Sequence, residues 1–485
     1  MQTSLPNCAS LFILFVGFSS TNTSPASAQA FTILHTLTQT SASGPYTNGD
    51  GAGLSAELLL SGDRLYGTAV GGGQWGNGTV FALSVDGTVF TTLHSFSAAS
   101  DSLSNVKNND GANPYAGLIL SGNTLYGTAE YGGTYGNGAV FAIKTDGTGF
   151  TNLHSFTALN ANDLSNGDGA NPHAGLMLSS NVLYGTTVNG GTHAYGSVFG
   201  VSTDGTSFTN LHNFFDLHDG ANPYAGLIIS GNTLYGTTLR GGLYGNGAVF
   251  AMRTDGTGFT DLHSFKVGDG FNPFAGLVLS GNTLYGTTEN GGRNNYGTVF
   301  AVNTNGTGFT NLYNFNGSDG FAPQASLILS GNTLYGTTTY GGNAGNGTVF
   351  AINTDGTGFA ILHGFTATVG TKGGYGINSD GGYPVGGVIL LGNTLYGTTH
   401  IGGSSGSGTL FSLLLPPPQL TITRSAANLN LTWPTNATGF SLQSTTNLGL
   451  SSVWTTNPAA PVVINGQNRV TSPVSGRQQF FRLSQ

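Results

Sequence analysis

The chain has 485 residues, of which 38% are hydrophobic and only 7% are charged, with a formal net charge of −8 at pH 7. Such a composition is typical of a folded protein, and the acidic balance without any basic run interleaved with aromatics argues against nucleic-acid binding. No apolar stretch reaches the roughly 18 residues of a membrane span, so we expect no membrane span.

The first residues are typical of an export signal. The apolar run LFILFVGF, residues 11–18, precedes a small polar stretch in which Ala28 and Ala30 form a small-x-small cleavage pattern. We therefore predict a signal peptide over residues 1–30, cleavage near Ala30, and a secreted or cell-surface protein. The single cysteine, Cys8, lies in this segment, so the mature chain would have neither disulfides nor thiolate chemistry.

From residue 31 onwards the chain repeats itself. The sequence LYGT occurs with its tyrosine at Tyr66, Tyr126, Tyr184, Tyr235, Tyr285, Tyr335 and Tyr396. Each repeat contains four short runs rich in Val, Ile, Phe, Thr and Tyr, separated by turns such as SGNT and TDGT. Repeats of about 50 residues with four strands each are typical of β-propeller blades.

The two ends of the repeat array predict that it closes. The fourth-strand motif first appears as FTILHTL at Phe31, before any complete repeat, and it is missing after the last third-strand run, GTLFSLLL. The first strand can therefore complete the last blade, as a closed ring requires. We predict an all-β protein with a seven-bladed β-propeller over residues 31–415 and four strands per blade.

The repeats resemble the tandem-repeat family of choice-of-anchor proteins of the GloVer, or Gloeobacter and Verrucomicrobium, type. The resemblance covers residues 31–415 and rests on LYGTT, GTVFAINTDGTGF, TGFTNLHSF and DGANP. It implies an exported bacterial protein of unassigned activity that carries a variable C-terminal surface-sorting segment.

A second module is predicted at the C-terminus. Residues 416–418 form a stiff proline linker, and residues 419–485 contain short alternating runs. We predict a small β-sandwich that resembles immunoglobulin or fibronectin type III modules, with Trp433 and Trp454 in its core. This module has four arginines and no acid. The arginines could adhere to an anionic surface or could simply be solvated.

Repeated histidines and aspartates are expected to be structural. The histidines lie in the motif FTxLHxF on outer strands, about 14 Å from the inner strands, so they cannot converge on a metal. The aspartates precede Gly in DGxxP, where we expect them to cap turns, with calcium binding as the alternative. We predict no metal site and no cofactor. The histidines are His35, His94, His154, His212, His263 and His363, and the aspartates are Asp50, Asp110, Asp168, Asp219, Asp269, Asp319 and Asp380.

Catalytic carboxylates are not marked by any motif. Glycosidases usually need two carboxylates in one cleft. The glutamates of the chain are Glu57, Glu130 and Glu289, and the aspartates outside the repeat pattern include Asp101, Asp163 and Asp216. We predict no catalytic residue, although a polysaccharide hydrolase or lyase and a purely structural surface protein remain alternatives.

Two variable positions on one face are candidates for ligand binding. After GG the repeats present Trp75, Tyr135, His193 and Tyr244, then Asn294, Ala344 and Ser405. After NP or its equivalent they present Ser55, Tyr115, His173, Tyr224, Phe274, Gln324 and Val385. Rings on one sector suit stacking against sugars, whereas the alternative is that they cover neighbouring loops. We predict a monomeric, non-enzymatic binding or adhesion protein for a glycan or another surface polymer.

Overall fold

The computed structural model describes part of the chain. The described residues are 30–100, 107–215, 219–372, 375–416, 418–425, 428–434, 440–447, 453–457, 459–464, 467–473 and 479–484. The predicted signal peptide lies outside them, except for Ala30 at its end. All named elements of the described residues are β-strands, and none of these residues forms a helix that could cross a membrane. The prediction of an all-β fold is confirmed.

Residues 31–415 form seven four-stranded antiparallel sheets, called sheets 1 to 7 in chain order. The first strand of the described residues is Phe31–Thr36 (β1). Sheet 1 contains Leu59–Ser61 (β2), Arg64–Ala69 (β3), Thr79–Ser84 (β4) and Phe90–Ser95 (β5). Sheet 2 contains Ile119–Ser121 (β6), Thr124–Ala129 (β7), Ala139–Lys144 (β8) and Thr151–Ser155 (β9). Sheet 3 contains Met177–Ser179 (β10), Val182–Thr187 (β11), Ser197–Ser202 (β12) and Phe208–Asn213 (β13).

The next sheets repeat this order. Sheet 4 contains Ile228–Ser230 (β14), Thr233–Thr238 (β15), Ala248–Arg253 (β16) and Thr260–Ser264 (β17). Sheet 5 contains Val278–Ser280 (β18), Thr283–Thr288 (β19), Thr298–Asn303 (β20) and Thr310–Asn314 (β21). Sheet 6 contains Ile328–Ser330 (β22), Thr333–Thr338 (β23), Thr348–Asn353 (β24) and Ala360–Gly364 (β25). A hairpin of Val369–Lys372 (β26) and Tyr375–Ile377 (β27) follows.

Sheet 7 is completed by the first strand of the chain. It contains Ile389–Leu391 (β28), Thr394–Thr399 (β29) and Thr409–Leu414 (β30), and β1 pairs antiparallel with β30. Phe31 lies opposite Leu413, and Thr36 lies opposite Thr409. This pairing is the one predicted from the missing fourth-strand motif.

The sheets pack face to face in chain order, and the last packs against the first. Third strands such as TVFAIN are apolar on successive residues, so both faces of each sheet are buried. Phe96 of sheet 1, for example, shares a core with Phe141 of sheet 2. Leu410 of sheet 7 likewise packs with Phe81 of sheet 1. The seven sheets therefore form a closed ring of contacts.

The threonine of LYGT links each sheet to the next. Buried Thr68 of sheet 1 donates a hydrogen bond to the carbonyl of Ala116, which leads into sheet 2, at 2.9 Å. The equivalent bond recurs around the ring and ends with Thr398 donating to Ala56 at 3.1 Å, except that Thr287 donates to Pro323, two residues before the equivalent acceptor position. The repeated motif thus joins the second strand of each sheet to the residues that lead into the first strand of the next sheet.

The C-terminal residues form two further antiparallel sheets. One has the order β31-β32-β36-β35, made of Thr421–Ser425, Asn428–Pro434, Gln467–Pro473 and Val462–Ile464. The other has the order β34-β33-β37, made of Thr455–Thr456, Ser441–Thr445 and Phe480–Ser484. Both contribute to one small core that includes Leu431, Trp433 and Leu442.

The prediction that Trp433 is a core residue is confirmed, since it is 2% exposed. The same prediction for Trp454 is wrong. Trp454 does not belong to that core, and its ring instead packs against the guanidinium of Arg482, 4.3 Å from the ring centroid. The attraction between a cation and an aromatic face explains this position.

Candidate functional site

The repeated histidines and aspartates lie where consecutive sheets meet. Nε2 of His35 in sheet 7 donates to Asp50 at 3.1 Å, and its ring stacks on Phe90 of sheet 1 with centroids 4.2 Å apart. Asp50 also accepts the backbone N–H of Thr38 at 3.0 Å. A His–Asp pair of this kind lies at six of the seven contacts between sheets, including the one formed by His35. At the seventh contact the hydroxyl of Tyr313 takes the place of histidine and donates to Asp319.

This geometry corrects the predicted role of the aspartates. Asp50 does not cap its own turn, because its partners are His35 in the outer strand of the preceding sheet and Thr38, which follows that strand. The side chain of Asn48 caps that turn instead, by accepting the N–H of Gly51 at 2.9 Å. Burial raises the pKa of Asp50, but hydrogen bonds from His35 and Thr38 outweigh it, so the pKa lies below its usual value.

The first strands of the sheets surround a central cavity of about 410 Å³. All seven sheets contribute to its wall, through the residues that lead into their first strands. The volume is within the range of about 300–1,000 Å³ that is usual for small-ligand sites. The described part of the chain contains no group of three or more His, Cys, Asp or Glu side chains that could hold a metal ion.

One side of the cavity mouth is a continuous aromatic surface. It consists of Tyr115, His173, Tyr224 and Phe274, called the aromatic arc below. Tyr115 and His173 stack at 4.7 Å, His173 meets Tyr224 edge-on at 5.1 Å, and Tyr224 stacks on Phe274 at 4.9 Å. The structure therefore brings together the four rings that were predicted at the position after NP. The equivalent residues Gln324, Val385 and Ser55 complete the wall.

Glutamate side chains that directly follow the second strands form hydrogen bonds with two residues of this mouth. Nδ1 of His173 donates to Glu130 at 2.9 Å, and Nε2 of Gln324 donates to Glu289 at 2.9 Å. Each glutamate belongs to the sheet before its partner, so the mouth is held by contacts between sheets. Burial, followed by the charge of Glu130, raises the pKa of Tyr131 above its usual value. The phenol of Tyr131 therefore stays protonated at neutral pH.

A second layer of the wall lies two residues further along each chain segment. Its seven members are Glu57, Gly117, Gly175, Gly226, Gly276, Ser326 and Gly387. A Cβ added at Gly117 would lie 2.9 Å from the carbonyl oxygen of Glu57, and one added at Gly226 would lie 3.1 Å from that of Gly175. Glycine is needed at these positions because the sheets approach one another closely here. The cavity narrows at this layer, which is called the floor below.

Glu57 is the ionisable member of this layer. Its Oε1 lies 3.0 Å from the position that a Cβ at Gly387 would occupy, so the side chain lies against the neighbouring sheet 7 at the floor. The described residues give its carboxylate no hydrogen-bond partner, and burial raises its pKa to about 7. An unpartnered carboxylate at the base of a cavity is costly in its charged form, so a ligand that pairs with it would be stabilised.

A family model for the Gloeobacter/Verrucomicrobia repeat matches residues 17–165, 160–288 and 250–449. The chain belongs to this repeat family. No curated protein matches this member of the Gloeobacter/Verrucomicrobia repeat family.

Several solved structures are similar to this repeat protein at low identity. An oligogalacturonate lyase in complex with manganese is 11% identical, with 81% of this chain and 94% of that chain covered and a TM-score of 0.46. A putative 6-phosphogluconolactonase from Bacteroides fragilis is 16% identical, with 88% and 99% covered and a TM-score of 0.43. A puromycin-hydrolyzing peptidase from Mycobacterium tuberculosis is 11% identical, with 80% and 61% covered and a TM-score of 0.45.

The second predicted set of site residues lies apart from the arc in this repeat protein. Trp75 and Tyr135 are each 44% exposed, and Tyr244 is 55% exposed. Their loops turn toward the outer strands, as the bond from the N–H of Gln74 to Ser95 shows, at 2.7 Å. The exposed ring of His193 contacts Phe215 at 4.4 Å. The set after NP therefore lies at the first strands, and the set after GG lies near the fourth strands, although sheets 2 to 4 contribute a ring to both sets.

The three glutamates of the chain are functional candidates that the sequence motifs did not identify. All three either line the central cavity or hold a side chain at its mouth. The sequence signal that could have identified them is the rarity of glutamate in a chain of which only 7% of the residues are charged. Among the aspartates outside the repeat pattern, Asp163 is exposed and accepts the N–H of Ser165, while Asp101 and Asp216 lie outside the described residues.

Proposed function

We propose that the seven sheets are the blades of a seven-bladed β-propeller over residues 31–415. Their cyclic order of contacts and the pairing of β1 with β30 support this architecture. A linker at 416–418 and a small β-sandwich of immunoglobulin or fibronectin type III kind over 419–485 would follow. Two C-terminal sheets that share one core support the sandwich.

The proposed function is that of an exported, non-enzymatic binding protein that holds a glycan or another surface polymer at the central cavity. The aromatic arc is the observation that carries this proposal. Flat rings stack well against the apolar faces of sugar rings, and nearby polar groups can bind hydroxyls. Gln324 and Ser55 supply such groups on the opposite side of the mouth. The exposed outer rings Trp75, Tyr135, His193 and Tyr244 are proposed as further contacts for a long polymer.

A polysaccharide hydrolase is the second candidate, and Glu57 is the observation in its favour. A carboxylic acid with a pKa near 7 suits a general acid. Such an enzyme needs a second carboxylate in the same cleft. The six positions equivalent to Glu57 hold five glycines and Ser326, and Glu130 and Glu289 are each bonded to a residue of the mouth. The arrangement favours binding over hydrolysis.

A glycan array probed with the exported protein tests the proposal, together with an assay for released reducing sugar. We expect retention of at least one glycan class and no sugar release. Tyr224→Ala should lower retention, whereas Val385→Ala, at an equivalent position without a ring, should not. Sugar release that is lost in Glu57→Gln would replace binding by hydrolysis. Mass spectrometry of the secreted chain tests cleavage near Ala30.

A further inference from the structure

Negative charge is concentrated at the central cavity. Glu57 lies in its floor, and Glu130 and Glu289 stand directly behind the residues of its mouth. Of the described residues that line the cavity, none is Lys or Arg. Burial raises the pKa of the Tyr224 phenol and the charge of Glu130 raises it further, whereas the cation that opposes this rise, Arg240, lies outside the lining. The cavity therefore disfavours an acidic ligand and favours a cationic one.

The floor narrows the choice of cation. A divalent metal such as calcium takes about 6–8 oxygen ligands. Glu57 is the one carboxylate in its layer, and Ser326 is the one other side chain there with an oxygen. An organic ammonium group needs fewer partners, since a single carboxylate and a few acceptors satisfy its three N–H donors. Aromatic faces also attract ammonium groups, and the arc supplies such faces above the floor.

The depth of the floor fits a ligand that spans both layers. Glu57 follows Ser55 by two residues in the chain, and both residues line the same cavity. A sugar ring stacked on the arc can therefore direct a substituent down to the carboxylate. The unpartnered state of Glu57 is explained if that substituent is its partner in the complex.

We infer that the central cavity binds a glycan that carries protonated primary amines, with an amino group paired to Glu57 and sugar rings stacked on the aromatic arc. This inference rests on the proposed glycan binding and adds the chemical class of the glycan. A free amino sugar is preferred over its N-acetylated form, because acetylation removes the positive charge and adds bulk at the narrow floor.

Isothermal titration calorimetry with the exported full-length protein tests this at about pH 7, where much of the Glu57 carboxylate and of a sugar amine is charged. The probes are short glucosamine oligomers with free amines, the matching N-acetylglucosamine oligomers, and calcium or manganese chloride alone. We expect the free-amine oligomers to bind about tenfold tighter or more, as a desolvated charge pair would produce. Glu57→Gln should remove this preference, so that the free-amine and acetylated oligomers bind with similar affinity.

The remaining variants separate the two proposals. If both oligomers bind equally and Glu57→Gln changes neither, the amine preference is overturned, while loss of both in Tyr224→Ala would still support glycan binding at the arc. If neither oligomer nor any array glycan binds, the proposed function itself is overturned. Heat from a metal salt alone that disappears in Glu57→Gln would make the floor a metal site and contradict the inference. Melting curves of each variant show whether a loss reflects unfolding.

Discussion

The pairing of β1 with β30 makes a strong prediction about stability. Leu37, directly after β1, is fully buried, and Phe31 stacks on Phe411 of sheet 7 with centroids 5.1 Å apart. Replacing a buried Leu by Ala costs about 2–5 kcal/mol, because it loses burial and leaves a cavity. Leu37→Ala should therefore destabilise the protein by that amount, although Leu37 lies only a few residues from the expected mature N-terminus.

Deletion of residues 31–40 should cost more than the point variant. It removes Phe31, Ile33 and Leu37 from their clusters, exposes the edge of β30, and takes His35 and Thr38 from Asp50. Leaving a buried acceptor without partners adds about 1–3 kcal/mol. The total is comparable to the whole stability of a typical domain, about 5–15 kcal/mol. We expect loss of a cooperative transition or a large fall in its midpoint.

Thermal melting followed by circular dichroism is the assay, and Thr32→Ala is the matched control because Thr32 is an exposed residue of the same strand. A synthetic peptide of residues 30–40 added to the truncated chain should restore part of the lost stability. If the truncated chain and Leu37→Ala both melt at the temperature of the intact protein, the closure by β1 is refuted.

Three further predictions concern individual side chains. Asp110→Asn should destabilise by about 1–3 kcal/mol, because Asp110 accepts bonds from His94 and the N–H of Ser97, and denaturant titration measures this. The pKa of Asp110 is lowered in the fold, so this stabilisation should be complete above about pH 4 and lost as the pH falls through the lowered pKa. The contribution of Glu57 to stability should have the opposite pH dependence, which a series of melts of wild type and Glu57→Gln measures. Because the pKa of Glu57 is raised from 4.5 to about 7, wild-type stability should fall between these values by about 3 kcal/mol, and the variant should not show this fall. Trp75→Ala should leave the melting temperature within about a degree of wild type, since the ring is 44% exposed; a larger fall would mean that it packs as a core residue.

Much of the fold was predictable because every repeat carries the same turn residues and the same pattern of apolar strand residues. The turn SGNT places Gly331 at a φ of 59°, as a tight hairpin requires, and each third strand is apolar on both faces. The pairing of β1 with β30 could be predicted by counting the fourth-strand motif, which is present before the first repeat and missing after the last one. The prediction that Trp454 is a core residue was wrong because its partner, Arg482, is distant in sequence.

The candidate site was predictable only in part. The position after NP lies at the same point of every repeat, so the convergence of Tyr115, His173, Tyr224 and Phe274 follows once the sheets form a ring. The role of Asp50 was missed because its partners lie in the preceding sheet rather than in its own turn. Glu57 was missed because its importance comes from the glycines around it, which a single repeat does not reveal.

The central claim is that the aromatic arc binds the glycan, and one equilibrium titration tests it most directly. A glycan retained on the array is titrated into wild type, into the double variant Tyr224→Ala with Phe274→Ala, and into the control Trp75→Ala with Tyr244→Ala, each with its own melting curve. We expect the arc variant to lose about tenfold or more in affinity, because stacking on two rings is removed, while the outer-loop control loses much less. Equal affinity of the arc variant and wild type would contradict the account.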